Sequence, residues 1–244
     1  MMHFRTVKSY TSRQRQLSVR QQTAYDLQWP LIGVESLELL NLETIFHRQA
    51  PRMIEIGFGN GDTLWPMALA HPDCDYLGIE IHKPGIANLC QKIIEYTIKN
   101  IRVMAGDAVE ILQKQIPDHH FSRAHIYFPD PWPKQKHHKR RLISDSFVEL
   151  LVKKLTPDGI IHCATDWEEY ALHMMRVLSR HPALENCAGI NNFSDNEKLQ
   201  LRANTKFETR GVALGHDVWD LVFKLKRISH RNHERHFDAR IVRE

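Results

Sequence analysis

The sequence lacks the features that identify secreted, membrane-spanning and disulfide-stabilised proteins. No apolar run is long enough to span a bilayer, and the N-terminal residues lack the apolar core of a signal peptide. The four cysteines are scattered without a C-x-x-C pair, so we interpret them as reduced, small hydrophobic residues rather than disulfide or zinc ligands. These absences predict a cytoplasmic protein that contacts no membrane and needs no metal.

Acidic residues are missing from the N-terminal segment, where none precedes Asp26. The same segment contains the basic residues Arg5, Lys8, Arg13, Arg15 and Arg20. Because it is also poor in apolar residues, we predict that residues 1–30 form a basic, mobile arm that orders only on a partner. The composition leaves open whether this arm contacts phosphates or is an inert tail.

The C-terminal residues 229–244 are again polar and basic, which predicts a solvated tail. Histidines recur there at every third position, as His230, His233 and His236. This spacing could indicate a metal site, but no other feature of the sequence supports one, so we expect the tail to be solvated.

Between these segments the sequence predicts one α/β domain over residues 31–228. The composition of the whole chain is globular, with 42% hydrophobic residues, and the sequence contains no internal repeat. The apolar pattern predicts strands at 53–57, 75–81, 101–105, 123–128, 160–164 and 218–226, and helices at 31–47, 62–70, 84–99, 108–116, 147–155 and 167–179. Strands that alternate with helices imply a mostly parallel sheet with helical crossovers.

Acidic residues stand where the predicted strands end. Glu55 lies beside a glycine-rich turn, and Glu80, Asp107, Asp130 and Asp166 follow at successive strand ends. Each of them could be a simple helix cap or turn former. Ligands of open α/β sheets, however, bind at the carboxyl ends of the strands. Five acids at one sheet edge therefore indicate a binding site.

The glycine turn follows the first of these strands and reads Glu55-Ile-Gly-Phe-Gly-Asn-Gly61. A dinucleotide fingerprint would need its last glycine where Asp62 stands, which disfavours a nicotinamide dehydrogenase. The glycines let the backbone approach a ligand closely, and acidic residues beside them suit a nucleoside without phosphate. In such a site Glu80 would accept from the ribose hydroxyls and Asp107 from the adenine amine. Because acids also suit a cationic sulfonium, the pattern predicts an S-adenosylmethionine site.

The stretch 128–141 combines three prolines with a run of positive charge. Pro129, Pro131 and Pro133 are expected to hold Asp130 and Trp132 on a rigid bend, with extended geometry before each proline. The cations that follow are Lys134, Lys136, Lys139, Arg140 and Arg141. This pairing predicts a site that acts on a nucleobase within a nucleic acid; the alternative is a surface turn before a solvated basic helix. Trp132 would either stack on a base or pack beneath the loop.

Together these motifs resemble the bacterial tRNA (guanine-N7-)-methyltransferases, over about residues 54–221. The segments that carry the resemblance are Glu55-Ile-Gly-Phe-Gly59, Gly78-Ile-Glu-Ile-His82 with Pro84-Gly85, Asp107-Ala108, Phe128-Pro-Asp-Pro-Trp132, His137-His-Lys-Arg-Arg141, Ala164-Thr-Asp-Trp167, Thr205-Lys-Phe-Glu208 with Arg210-Gly211, and Leu214-Gly-His216 with Trp219-Asp-Leu221. The chain departs from the family at Leu201-Arg-Ala-Asn204, where an Arg-Pro pair is usual, and this puts the rigidity of that loop in question.

The resemblance implies a Rossmann-like class I methyltransferase fold, with a mostly parallel sheet and helices on both faces. It also implies methylation of guanosine N7 in the variable loop of tRNA. By resemblance, the residues that bind S-adenosylmethionine are Glu55, Gly57, Gly59, Glu80, Asp107 and Asp130, and Asp130 is also catalytic. The residues that the resemblance assigns to the substrate are Lys134, Asp166, Thr205, Lys206, Phe207 and Glu208. Those that it assigns to RNA binding are Lys136, His137, His138, Lys139, Arg140 and Arg141. The alternatives are methylation of another RNA base and tRNA binding without catalysis. The sequence does not distinguish a monomer from a homodimer.

Overall fold

The computed structural model describes residues 16–195 and 217–226, and every structural statement below concerns these residues. Along the chain they form α1 (Val19–Ile32), α2 (Leu42–Phe46), β1 (Arg52–Ile56), α3 (Leu64–Ala70), β2 (Asp75–Glu80), α4 (Lys83–Tyr96), β3 (Ile101–Ala105), α5 (Ala108–Lys114), β4 (Phe121–Tyr127), a 3-10 helix (Gln135–Arg140), α6 (Asp145–Lys154), β5 (Leu155–Thr165), α7 (Glu168–Arg180), β6 (Leu184–Asn186) and β7 (Trp219–Leu225). None of these helices has the length and apolar character that crossing a bilayer requires.

The strands form one seven-stranded sheet in the order β3-β2-β1-β4-β5-β7-β6. Strands β1 to β5 are parallel, whereas β7 is antiparallel to both of its neighbours, β5 and β6. The strand order reverses between β1 and β4, and a crevice opens at such a switch point beyond the carboxyl ends of the strands. The predicted α/β class with a mostly parallel sheet is confirmed.

The central strands are short apolar runs that are buried on both faces. All six residues of β2 are buried, as a parallel strand covered by helices on either side requires. Alternate side chains point to opposite faces of the sheet. Accordingly Ile54 and Leu77 belong to one buried cluster, whereas Met53 and Tyr76 belong to a second.

The helix predicted over residues 31–47 is wrong for most of its length. Apart from residues 31–32, which end α1, only Leu42–Phe46 is helical. The Asn41 side chain caps this short helix by accepting from the Thr44 N–H at 3.1 Å. Leu37 is 95% exposed, so its helical spacing did not reflect a buried face. Before it, the Val34 N–H donates to the Val103 carbonyl at 2.8 Å and ties the segment to the edge of β3.

The predicted arm differs from the structure over its second half. Ser18 and Gln21 form a reciprocal capping box that begins α1, and Ala24 and Ile32 are buried on its inner face. Because α1 packs on α4, residues 19–30 are part of the domain. Residues 1–15 and the predicted tail 229–244 lie outside the described residues.

Candidate active site and nucleic-acid interface

A cleft of about 290 Å³ opens at the carboxyl ends of β1, β2, β3 and β4, where the strand order reverses. Its lining includes three of the predicted acids, Glu80, Asp107 and Asp130, together with Gly57. No lysine or arginine from the described ranges belongs to the lining. The cleft is therefore a polar site of negative charge, beside apolar walls such as Ile79. A wider depression of about 570 Å³ lies beyond β3 and has one carboxylate, Glu35, in its lining.

Glu80 joins the end of β2 to the glycine turn, which we define as residues 57–61. Its carboxylate accepts from the backbone N–H groups of Gly59 at 2.7 Å, Ile81 at 2.6 Å and His82 at 2.8 Å. Gly57 and Gly59 have φ of +72° and +56°, a conformation that favours glycine. Backbone donors from the glycine turn and from the residues after β2 thus fix the position of this carboxylate.

The first turn of α4 presses against the glycine turn. A Cβ atom at Gly85 would lie 2.1 Å from the Gly59 carbonyl oxygen, so only glycine permits this approach. An amide chain reinforces the contact, because Gln21 Nε2 donates to Asn88 Oδ1 at 3.0 Å and Asn88 Nδ2 donates to Asn60 Oδ1 at 2.8 Å. No sequence motif predicted this chain of amides, which connects α1 through α4 to the glycine turn.

Two other predicted cofactor residues have different surroundings. Glu55 is 2% exposed and accepts a hydrogen bond from the Thr63 hydroxyl, and it does not belong to the cleft lining. Glu55 is thus held at the end of β1 by a partner within the fold, and its contact with S-adenosylmethionine stays a prediction. Asp107 lines the cleft and also caps α5, accepting from Val109 N–H at 2.9 Å. The capping and ligand-binding interpretations of Asp107 are therefore compatible.

Asp130 lies on the proline bend, which we define as residues 128–133, directly after β4. Desolvation raises the pKa of its carboxyl above the ordinary value, and the positive charge of Arg140 opposes that shift. Phe128 and Trp132 have φ of +50° and +46°, so the expectation of extended geometry before each proline is wrong for these two residues. Left-handed backbone at a non-glycine residue costs about 1–3 kcal/mol and persists only where surrounding contacts hold it.

The cationic residues after the bend have contrasting environments. Lys134, Lys136 and Lys139 are exposed on and beside the 3-10 helix. The Arg140 guanidinium lies over the Trp132 ring, 3.6 Å from its centroid. His137 meets the same ring edge-on at 5.8 Å. One face of Trp132 is thus covered, which favours packing beneath the loop over open stacking on a base.

The two histidines of the run differ from its lysines. Slight desolvation and the positive charges of Lys136 and Arg140 lower the pKa of His137, which favours its neutral form. His138 is half-buried, with its Nε2 atom 4.0 Å from a carboxylate oxygen of Glu169. His137 therefore adds less to the positive charge of this surface than a lysine does.

Arg141, predicted to contact RNA, is instead buried, with its side chain 1% exposed. Its Nε donates to the Pro131 carbonyl at 2.8 Å, and its Nη1 donates to Glu169 Oε1 at 3.0 Å. Nη2 donates to the other carboxylate oxygen of Glu169, and the guanidinium lies over the Tyr170 ring. The prediction that Arg141 contacts RNA is wrong, because its side chain is buried and its N–H groups donate to Pro131 and Glu169.

The predicted substrate residues are only partly placed. Lys134 is exposed at the start of the 3-10 helix, and Asp166 is half-buried at the end of β5, one strand from Asp130. Thr205, Lys206, Phe207 and Glu208 lie outside the described residues.

A buried polar network that no sequence motif predicted lies beside the cleft. The Asp220 carboxylate is 2.6 Å from His162 Nε2, and His162 Nδ1 is 3.0 Å from the hydroxyl of Tyr127, which lines the cleft. His125 pairs with His162 across β4 and β5, and desolvation followed by the nearby His162 holds its pKa well below the ordinary value. The alternation of His125 and Tyr127 along β4 was the one sequence signal for a shared face.

Three comparisons with known proteins agree with this geometry. Residues 49–221 match the family model described as "Putative methyltransferase". The chain is 47% identical over 221 residues to the tRNA (guanine-N(7)-)-methyltransferase of Alcanivorax borkumensis, covering 90% of this chain and 92% of that protein. It is 48% identical over 227 residues to the protein of the same name from Legionella pneumophila strain Lens, covering 90% and 98%.

Among solved structures, the fold is similar to that of the 16S rRNA methyltransferase KamB. The TM-score is 0.58 at 11% sequence identity, covering 81% of this chain and 99% of that one. The A1408 methyltransferase of the 30S ribosomal subunit from an uncultured bacterium gives a TM-score of 0.53 at 14% identity, covering 80% and 98%. At these identities the likeness shows the fold, which is that of class I methyltransferases.

Proposed function

The chain belongs to the tRNA (guanine-N(7)-)-methyltransferase family, and we propose that it transfers the methyl group of S-adenosylmethionine to guanosine N7 in the variable loop of tRNA. The observation that carries this proposal is the acid-lined cleft at the strand-order reversal, directly beside the exposed cations that follow Asp130. A cationic nucleoside cofactor fits the first feature and a polyanionic substrate fits the second.

The cleft suits S-adenosylmethionine by its donor and acceptor set. Carboxylates suit a sulfonium cation and ribose hydroxyls, whereas a cluster of lysines or arginines would suit phosphate. Gly57 and Gly59 have positive φ, which favours residues without a side chain, so a ligand at the glycine turn meets backbone. We assign Glu80 to the ribose hydroxyls, Asp107 to the adenine amine, and Gly57 and Gly59 to the close backbone approach.

When bound, the cofactor supplies a methyl group on a positively charged sulfur. Guanine N7 has an in-plane lone pair at neutral pH, so the chain needs no general base to make it a nucleophile. Transfer would form the N–C bond as the S–C bond breaks, and it would leave the positive charge on the base. The work of the protein is therefore positioning and electrostatic stabilisation. We assign both to Asp130, whose negative charge would stabilise the charged base and whose oxygens would accept from its amide edge.

The substrate surface that we propose begins at the bend and continues over the 3-10 helix. Lys134, Lys136, Lys139 and Arg140 would contact the phosphates and the target nucleotide, with Asp166 on the far side of the cleft. We assign substrate binding to Thr205, Lys206, Phe207 and Glu208 from their motif alone. Binding that depends on such cations weakens as salt rises, because phosphate contacts release counterions.

The test is methyl transfer by the full chain to an unmodified tRNA transcript, with labelled S-adenosylmethionine and analysis of the product nucleosides. We expect 7-methylguanosine from a transcript with a guanosine in the variable loop. The matched control transcript, with that guanosine replaced by adenosine, should accept no label.

Two results would contradict the proposal. A methyl group on another atom or another nucleotide would show a different RNA methyltransferase. Binding of tRNA without transfer, by a chain that also binds the cofactor in calorimetry, would show a tRNA-binding homologue without catalysis.

A further inference from the structure

The Arg141 guanidinium connects the proline bend after β4 to the first turn of α7, which follows the neighbouring strand β5. On one side its Nε donates at 2.8 Å to the carbonyl of Pro131, the residue directly after Asp130. On the other side it pairs through both terminal nitrogens with Glu169, three residues after Asp166. The two candidate substrate-facing acids, Asp130 and Asp166, are thus tied together by one buried side chain.

The proline bend needs an anchor of this kind. Prolines have no N–H group, so Pro129, Pro131 and Pro133 cannot donate backbone hydrogen bonds that would fix its shape. Phe128 and Trp132 are nevertheless held in left-handed backbone on either side of Asp130. Such a conformation is maintained by surrounding structure. The hydrogen bond from Arg141 to Pro131 acts at the centre of the bend.

Arginine and glutamate are suited to this position for specific reasons. A guanidinium has five donors in a rigid planar fork, so it can contact the Pro131 carbonyl and both Glu169 oxygens at once. Its buried charge requires a partner, and Arg141 in turn lowers the pKa of Glu169 through their hydrogen bond. The Tyr170 ring, 5.0 Å below the guanidinium, fixes its plane. Lysine has neither the fork nor the plane.

We propose that Arg141 and Glu169 form a clamp that positions Asp130 against Asp166, and that Arg141 is a positioning residue for methyl transfer. This inference rests on the proposed function and deepens it. The last arginine of the cationic run sets the geometry of the reacting centre, while the exposed cations before it face the nucleic acid.

The experiment compares Arg141→Lys with Arg180→Lys in the full chain. Arg180 is a matched control because it lies on α7, like Glu169, and donates to both oxygens of Asp145 at 2.9 Å, but on an exposed surface. Single-turnover methyl transfer at saturating cofactor and tRNA should slow by about tenfold to a hundredfold in Arg141→Lys, as for a small misplacement of a reacting group. The affinity for tRNA and its salt dependence should not change, and Arg180→Lys should match the unmodified chain in every measurement.

Glu169→Gln is a second test of the clamp. Glu169 is the more exposed partner of Arg141, so it can be changed without removing the buried arginine. It should slow turnover in the same sense, and combining it with Arg141→Lys should add little, since both act on one contact. Amide hydrogen exchange of a peptide covering residues 128–141 should rise in both variants without any substrate present.

Three outcomes would overturn the clamp. A tRNA salt slope reduced by about one unit in Arg141→Lys would make Arg141 a phosphate ligand. Unchanged turnover together with a lower melting temperature would make it purely structural. Unchanged hydrogen exchange at the bend would remove the anchoring. Because hydrogen exchange needs no tRNA, it separates failure of the clamp from failure of the proposed function, in which the unmodified chain would itself form no 7-methylguanosine.

Discussion

The two sides of the cleft hold their carboxylates by different means. On the side of the glycine turn, Glu80 accepts from three backbone N–H groups and Asp107 from the first turn of α5. On the side of the proline bend, Asp130 is placed by a strained backbone and by the Arg141 contact to Pro131. The first arrangement is set mainly by local backbone geometry, and the second depends on a side chain whose partner is 28 residues away.

This difference has a consequence for function. A change on the glycine-turn side should alter the affinity for the cofactor, because backbone donors and acids there surround the nucleoside. A change on the bend side should alter the rate of transfer, because Asp130 faces the charge that develops on the base. Measurements that separate binding from turnover therefore test whether the two sides are distinct.

The largest expected effect is that of Asp130→Asn. The amide keeps the shape but removes the negative charge, so single-turnover transfer should fall by roughly two to three orders of magnitude, as for loss of one preorganised electrostatic group. The affinity for tRNA should change little. Asp73→Asn is the control, because Asp73 is exposed next to the start of β2, at the other end of the sheet.

The pH dependence sharpens the same test. Desolvation raises the pKa of Asp130, so its charge is lost at a higher pH than for an ordinary aspartate as the solution is acidified. Turnover of the unmodified chain should show this acid limb, and the residual turnover of Asp130→Asn should lack it. Near-normal turnover in the variant would remove the charge of Asp130 from the mechanism and make the two sides alike.

The next effect concerns Glu80→Gln, which should weaken S-adenosylmethionine binding by about 1.5–3 kcal/mol, the range for a charge-assisted hydrogen bond. Transfer at saturating cofactor should change much less. The matched variant Glu95→Gln, at an exposed position on α4, should bind the cofactor normally in calorimetry.

A cofactor analogue without a ribose hydroxyl tests whether Glu80 contacts the ribose or only organises the glycine turn. The unmodified chain should bind this analogue more weakly, whereas Glu80→Gln should lose little additional affinity. If both chains lose the same amount, Glu80 organises the glycine turn and does not contact the ribose.

A smaller effect is expected where the bend side meets the nucleic acid. The double variant Lys136→Ala and Lys139→Ala should reduce the slope of log affinity for tRNA against log salt, by about one unit for each phosphate that a lysine no longer neutralises. Lys153→Ala is the control, since Lys153 is an exposed lysine on α6. A slope equal to that of the control would place the phosphates elsewhere.

The smallest effect should come from Asn88→Ala, which breaks the amide chain between α1 and the glycine turn. One net hydrogen bond contributes about 0.5–1.5 kcal/mol, so cofactor affinity should fall by at most about tenfold. Transfer at saturating cofactor should be normal. Gln91→Ala, on the same helix, is the control in calorimetry. A turnover defect in Asn88→Ala would show that the glycine-turn side also controls the rate.

The parts of the fold that were predicted correctly are those that repeat a local pattern. The central strands are short apolar runs, and the glycine turn needs glycines because Gly57 and Gly59 have positive φ. The helix predicted at 31–47 failed because exposed leucines can have helical spacing by chance, as the 95% exposure of Leu37 shows. Helix α1 was missed because its apolar residues are few and its packing is supplied by α4.

By itself, the sequence determined the alternation of strands and helices, the placement of acids at one sheet edge, and the proximity of Asp130 to a run of cations. These properties follow from the periodicity of residues and from their neighbours along the chain, both of which depend only on the order of residues. Only the tertiary structure decided which cation faces solvent and which is buried. Lys139 and Arg141 are two residues apart, but Arg141 meets Glu169 and Tyr170 from α7 and Lys139 does not. The role of a charged side chain depends on its partners in space, and the partners that distinguish Arg141 come from α7, a helix that begins 27 residues later in the chain.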